Sequence, residues 1–172
     1  YYSSDIKFFN KLVNRGPDQS RIASEDGENP FFMGFKRLAL INTQGPPQQP
    51  YSNGGTDSQY FVCNGEIYNY QDIEKNEKED CKVIFNYLTK ATISTGYSVL
   101  YFLKTKLAGN EFAFIFYNAS TQKFIVARDA FGVRPLYMTF RKCIYNKDKK
   151  TSLFASELKA INPLHTDEVR HF

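Results

Sequence analysis

The stretch Gln59-Tyr60-Phe61-Val62-Cys63-Asn64-Gly65-Glu66-Ile67-Tyr68-Asn69 decides how this chain is read. Its first part, Gln59 to Cys63, is short and apolar, the composition of a strand. Asn64-Gly65 follows, a pair that favours positive φ and predicts a sharp turn. Taken alone, the pair is an ordinary turn. Its weight comes from what surrounds it.

Upstream, Phe31 to Ile41 is rich in aromatic and aliphatic residues and reads as another strand. Gln44 to Pro50 carries three prolines and reads as an ordered or extended loop, since proline lacks the ladder amide. Asp5 to Asn14 reads as a short helix with Ser4 or Asp5 as cap and Ile6, Phe9, Leu12 and Val13 on one face. Asn14-Arg15-Gly16-Pro17-Asp18 ends it with turn chemistry. Downstream, Asp72 to Glu79 is charged and reads as exposed. Asp80 opens a helix whose apolar face is Val83, Ile84, Tyr87 and Leu88. Thr95 to Leu107 predicts a second helix. Glu111 to Tyr117 and Lys123 to Ala127 predict a hairpin around Asn118 to Gln122. Leu136 to Ile144 and Thr151 to Ala155 predict another, around the basic turn Tyr145 to Lys150. Ser156 caps a last short helix. Hairpins with a few intervening helices predict an α+β fold with antiparallel sheets.

Composition bounds the function. The 172 residues suit one domain, residues 1–161, with 162–172 as tail or linker. Hydrophobic residues at 42% and charged residues at 23% are ordinary for a globular chain. No apolar run approaches the roughly 20 residues that span a bilayer, so no membrane partner is expected. A dispersed net charge of +4 argues against a nucleic-acid partner. Cys63, Cys81 and Cys143 form no Cys-x-x-Cys pair, and His165 and His171 both sit near the end. No metal site and no cofactor are expected, and three reduced thiols fit a cytoplasmic setting. Asn, Lys, Ile, Phe and Tyr, whose codons are AT-rich, are abundant, which fits an AT-rich genome such as that of a large virus, a protist or some bacteria.

Five segments carry more than periodicity does. They are Arg15-Gly16-Pro17-Asp18, Lys36-Arg37-Leu38-Ala39-Leu40-Ile41, Asn64-Gly65-Glu66-Ile67-Tyr68-Asn69, Arg128-Asp129-Ala130-Phe131-Gly132-Val133-Arg134-Pro135-Leu136-Tyr137 and Phe154-Ala155-Ser156-Glu157-Leu158-Lys159-Ala160. In this order they resemble the glutaminase domain of glutamine-dependent asparagine synthetase, a class II (Ntn-type) glutamine amidotransferase. The resemblance runs from about Leu12 to Ile161. It implies a four-layer αββα sandwich with two stacked antiparallel sheets. It also implies hydrolysis of the glutamine side-chain amide, with the ammonia passed to a second site.

By this resemblance Asn64 and Gly65 form the oxyanion hole, the Asn64 side-chain amide and the Gly65 backbone amide meeting the charge that develops on the tetrahedral intermediate. Arg37 would hold the glutamine α-carboxylate, for which a guanidinium fork is suited. Asp80 would receive the α-amino group; read from its position alone it is equally a helix cap. Glu66 belongs to the substrate-recognition turn. Arg15 to Asp18 and Arg128 to Tyr137 read as scaffold, with Asp18, Asp129 and the arginines pairing around the loops. Where the family usually has His, this chain has Asn14.

The resemblance places the nucleophile on an N-terminal cysteine, whose α-amine titrates at about 7.7–8.0 and so serves as general base at neutral pH. Tyr1 stands at the start and no cysteine precedes the first helix. Cys63 is internal and reads as a small buried hydrophobe. The expectation is therefore a first strand, with the cysteine, upstream of Tyr1; the alternative is processing or divergence to an inactive structural or assembly subunit, for example in a virion. The partners implied are glutamine and a synthetase (ATP-pyrophosphatase) domain or subunit, with an oligomer or larger assembly left open.

Overall fold

The structure, a computed structural model, describes residues 3–27, 29–39, 49–55, 58–91, 96–142, 150–161 and 169–172. The chain begins with helix α1 (Ser3–Phe9), which tightens into a 3-10 turn over Asn10–Asn14. Strands β1 (Gln19–Glu25) and β2 (Phe31–Arg37) form an antiparallel pair. β3 (Tyr51–Ser52), β4 (Gln59–Glu66), β5 (Glu111–Asn118) and β6 (Lys123–Arg128) make an antiparallel sheet in that order. Between β4 and β5 lie α2 (Tyr70–Ile73), α3 (Lys82–Lys90) and α4 (Gly96–Thr105). β7 (Tyr137–Lys142), β8 (Lys150–Ala155) and β9 (Arg170–His171) form a third sheet in the order β8-β7-β9. A 3-10 turn spans Leu158–Ala160.

Side-chain alternation along the strands stacks these pieces. On one face of the four-stranded sheet, Phe61, Cys63, Phe112, Phe114 and Phe116 are buried with Val83, Ile84, Phe85 and Leu88 of α3 and Val99 and Phe102 of α4. On the opposite face Tyr60 and Tyr117 receive the Phe31 ring of β2 at 4.6 and 5.0 Å, and Phe124 meets Phe154 of β8 at 5.7 Å. The β1-β2 and β8-β7-β9 sheets therefore share one layer over that face. α1 covers the outside of that layer, with Phe9 against Phe32. Gly34 makes this possible, because a Cβ there would lie 2.6 Å from the Phe9 ring. The layer order is helix, sheet, sheet, helix, the expected αββα sandwich. Burial of the aromatic core is the main stabilising term.

Several local expectations change. The strand read from Phe31 to Ile41 ends at Arg37, because Ala39 N–H leaves the ladder for Asp18 Oδ2 at 2.7 Å; residues 40–41 lie outside the described residues. β1 was not expected at all, since Gln19–Glu25 carries few apolar residues and is largely exposed. Asn64-Gly65 is not a turn. β4 runs on to Glu66, and Gly65 is absent from the glycines of positive φ. The helix after Asp80 starts at Lys82 with no side-chain cap, and Ser156 caps nothing, Glu157 preceding the 3-10 turn instead. The loop at residues 44–48, Cys143, His165 and most of the turn after Lys142 lie outside the described residues. Of 162–172, Arg170–His171 pair with Met138 and Tyr137. Among the described residues no helix is long and apolar enough to cross a membrane, and no cluster of His, Cys, Asp and Glu has metal-binding form.

Candidate active site

Arg37, Asn64, Gly65, Glu66 and Asp80 come together around one cavity of about 760 Å³ between the two sheet layers. That volume suits a small organic ligand.

Arg37 ends β2 and is gripped by the loop before β1. Gly16 lies flat on the Lys36–Arg37 peptide; a Cβ there would sit 2.2 Å from Lys36 C. Asp18 N–H donates to Arg37 O at 3.1 Å, and Arg37 Nη1 donates to Gln19 Oε1 at 2.8 Å. The Arg15-Gly16-Pro17-Asp18 segment is thus the seat of Arg37. Asp18 does this through backbone amides rather than through an ion pair. Arg15 instead pairs with Glu157, Nε to Oε1 at 3.5 Å.

At the end of β4, the phase of the ladder aims the Gly65 amide. A strand residue points its N–H and C=O to one side, alternating along the strand. Phe112 directs both toward β6, its carbonyl accepting Asp129 N–H at 2.7 Å and its N–H reaching Asp129 Oδ2 at 3.4 Å. Gly65 opposes Phe112, so it turns its own N–H and C=O away from β5. Cys63 shares that phase and donates N–H to Gln49 Oε1 at 2.6 Å. The Gly65 carbonyl accepts from Cys81 Sγ at 3.5 Å. Glycine is required here for space: a Cβ would lie 2.4 Å from Glu111 O and 2.8 Å from Phe112 Cα. Asn64 points to the opposite face of β4. Its Nδ2 is buried and has no hydrogen-bond partner among the described residues. Such a donor is costly to leave unmet and is free to serve a ligand.

Asp80 acts on the following turn of the motif and not on the helix. Its Oδ2 accepts Ile67 N–H at 2.9 Å. Buried Ile67 anchors that turn in the core. Asn110 fixes the rest, accepting Tyr68 N–H at 2.8 Å and donating to Asn69 Oδ1 at 2.8 Å. Glu79, beside Asp80, accepts from the buried Tyr51 hydroxyl at 2.6 Å. Burial and this bond push the Tyr51 hydroxyl far above its ordinary value. Contact with the Cys63 thiol and burial likewise push the Cys81 thiol up, so it is not a ready thiolate. Cys63 is buried, as expected.

Glu66 faces Arg134, Oε1 to Nη2 at 3.3 Å, and the same nitrogen lies 3.1 Å from Glu111 Oε2. Arg134 therefore stands at the cavity, where scaffold alone was expected. Asp129, expected to pair with arginine, takes backbone amides of Phe131, Val133 and Arg134 at 3.0–3.2 Å, besides that of Phe112. Burial alone would raise its carboxyl, but these donors outweigh it and hold it below the ordinary carboxylate range. Sequence reasoning missed Tyr51, Glu79 and Asn110 at this site. Nothing local marks them; their partners lie 28 to 42 residues away.

The family described as the glutamine amidotransferase domain matches residues 4–171. A probable glutamine-hydrolyzing asparagine synthetase of Acanthamoeba polyphaga mimivirus is 36% identical over 166 residues, 92% of this chain and 28% of the relative. Glutamine-hydrolyzing asparagine synthetase 1 of Saccharomyces cerevisiae is 29% identical over 169 residues, 94% of this chain and 26% of the relative. Glutamine-hydrolyzing asparagine synthetase 3 of Bacillus subtilis is 28% identical over 150 residues, 87% of this chain and 23% of the relative. The chain thus spans about a quarter of the length of these relatives. With helix, sheet, sheet and helix stacked as the motifs imply, and a family match from residue 4 to residue 171, the chain belongs to the glutamine amidotransferase domain family.

Proposed function

We propose that this chain is the glutaminase unit of a glutamine-dependent asparagine synthetase. It would hydrolyse the glutamine side-chain amide to glutamate and release ammonia for a synthetase domain or subunit. The observation that carries the reading is the uncommitted Asn64 amide beside the Gly65 N–H, in one cavity with the Arg37 guanidinium and the Asp80 carboxylate. A cation and a carboxylate at separate points of a cavity complement the two charges of an α-amino acid. Two amide donors at a strand end complement a tetrahedral oxyanion.

In this reading a thiol adds to the amide carbon, and its proton passes through the adjacent α-amine to the departing nitrogen. Asn64 and Gly65 hold the oxyanion. Ammonia leaves, water cleaves the thioester, and glutamate is released. The nucleophile would be an N-terminal cysteine on a strand before α1. β2 and β8 both line the cavity, and each has a single strand neighbour among the described residues. Two strands with unpaired edges on one cavity support room for a further strand. A cytoplasmic setting follows from the reaction's use of free glutamine and from the free, buried Cys63 and Cys81.

The test is glutamine hydrolysis by the full-length protein, read as glutamate and ammonia, with mass spectrometry after an electrophilic glutamine analogue. The expected result is turnover, with one label on a cysteine outside residues 1–172. Folded protein with neither turnover nor label would overturn the reading and favour the inactive subunit.

A further inference from the structure

Glu66 and Glu111 are direct cross-strand partners on β4 and β5. Two carboxylates on one rung repel each other. Arg134 Nη2 reaches both, at 3.3 and 3.1 Å. The main chain behind it is fixed, since the Arg134 backbone N–H donates to Asp129 Oδ2 at 3.2 Å. Its Nε is buried and makes no hydrogen bond among the described residues, so the two carboxylates hold its outer end. Of the three side chains, Glu66 and Arg134 line the cavity and Glu111 does not. Glu66 also follows Gly65 directly in the chain.

We propose that Arg134 is a positioning residue of this site: it bridges Glu66 and Glu111, offsets their repulsion, and so holds the Glu66 carboxylate at the cavity wall toward the ammonium end of an amino-acid ligand. The proposal rests on the glutamine reading above. The other charged or titratable groups here are Tyr68, whose hydroxyl bonds Glu111, and Asp80, bound to Ile67 N–H. Arg37 and Glu79 line the same cavity. Tyr68 is an uncharged donor at neutral pH and leaves the repulsion in place. Without Arg134 the two facing carboxylates repel each other across the rung. Glu66, the one that lines the cavity, then leaves its place on the cavity wall.

The test uses Arg134→Gln, Arg134→Lys and the double variant Arg134→Gln with Glu111→Gln, in the full-length protein. One readout is glutamine affinity by calorimetry. The other is glutamine hydrolysis, resolved into KM and kcat. In Arg134→Gln the affinity falls and KM rises roughly tenfold, with kcat changed by less than about threefold. Arg134→Lys recovers most of this, because a point cation still reaches one carboxylate. Removing the Glu111 charge in the Arg134→Gln background returns KM toward the wild-type value, a rescue that a merely structural arginine would not allow. Unchanged glutamine affinity and KM in Arg134→Gln would overturn the proposal. If that variant does not fold, Arg134→Lys decides: a modest rise in KM with kcat held supports the bridge, and an unchanged KM overturns it. Lack of turnover by the wild type would instead sink the functional reading, with glutamine affinity still deciding the bridge.

Discussion

Gly65→Ala tests the geometry of the site at its tightest point. The new Cβ would stand 2.4 Å from Glu111 O, 2.8 Å from Phe112 Cα and 3.0 Å from Phe112 Cβ. Two of these atoms belong to the backbone of β5, which pairs with both β4 and β6. No rotamer change relieves such a contact. Restoring ordinary separation moves the strands apart by about 0.5–1 Å, which costs about 2–3 kcal/mol in a packed interior. For a domain of this size that lowers Tm by roughly 5–10 °C. The same displacement carries the Gly65 N–H off its aim. A shift near 1 Å in a reacting geometry costs about 10²-fold in kcat, and loss of one oxyanion donor costs about 10²–10³. Thermal unfolding of the full-length variant gives the first quantity and glutamine turnover at saturating substrate gives the second. Gly132→Ala is the control for kcat: its φ of +65° strains an alanine and lowers Tm, while its Cβ would meet the flexible Arg128 side chain and leave β4 and β5 in place. A Gly65→Ala protein with unchanged Tm would refute the packing argument. One with lowered Tm and undiminished kcat would refute the assignment of its amide to the oxyanion.

Three further outcomes follow from the same contacts. Asn64→Ala removes a buried donor that has no acceptor among the described residues, so stability is held or raised while kcat falls about 10²–10³-fold; a large drop in Tm would show that the amide is structural. Asp80→Asn keeps an acceptor for Ile67 N–H but removes the charge, so KM for glutamine rises about 10–100-fold with the fold intact; an unchanged KM would remove Asp80 from the substrate site. Asp129 has its folded pKa depressed, so its stabilisation is full at neutral pH and is lost as pH falls from the ordinary value of about 3.9 toward the lower folded value. The stability gap between wild type and Asp129→Asn, read by urea unfolding, should therefore shrink below pH of about 4; a gap that is flat or grows in acid would refute this assignment.

The motif residues come together on one cavity, but the local geometry of several was not legible in the sequence. Asn-Gly signals positive φ in most chains, because glycine tolerates it. Here glycine serves its other property, the missing Cβ, and the strand runs straight through. One letter answers two physical demands, and only the neighbour at Phe112 tells them apart. Asp80 is ambiguous for a related reason. A carboxylate before an apolar helical run suits a cap, yet the N–H of Ile67, 13 residues earlier, takes it. Arg134 and Glu66 are 68 residues apart, a separation at which pattern carries no information. The aromatic strands and the α3 face were readable because period and burial coincide there. β1 was hidden because its residues are largely exposed and offer no periodic apolar signal.

A common device underlies these misreadings. Each site residue sits where a strand or loop runs out of ladder, and a backbone N–H nearby would otherwise go unmet. In each place a side chain accepts it, from 13 to 21 residues away in three of the four cases and from five in the last. Asp18 takes Ala39 N–H beside Arg37. Gln49 takes Cys63 N–H beside Asn64. Asp80 takes Ile67 N–H beside Glu66. Asp129 takes Arg134 N–H. A carboxylate that accepts amides is held in place by the backbone, and Arg37 and Arg134 both line the cavity. Asp18, Asp80 and Asp129, which look like salt-bridge partners in the sequence, thus act as splints for the backbone. Their arrangement converts strand ends, the weakest points of a sheet, into fixed points from which Asn64, Gly65, Arg37 and Glu66 can be aimed.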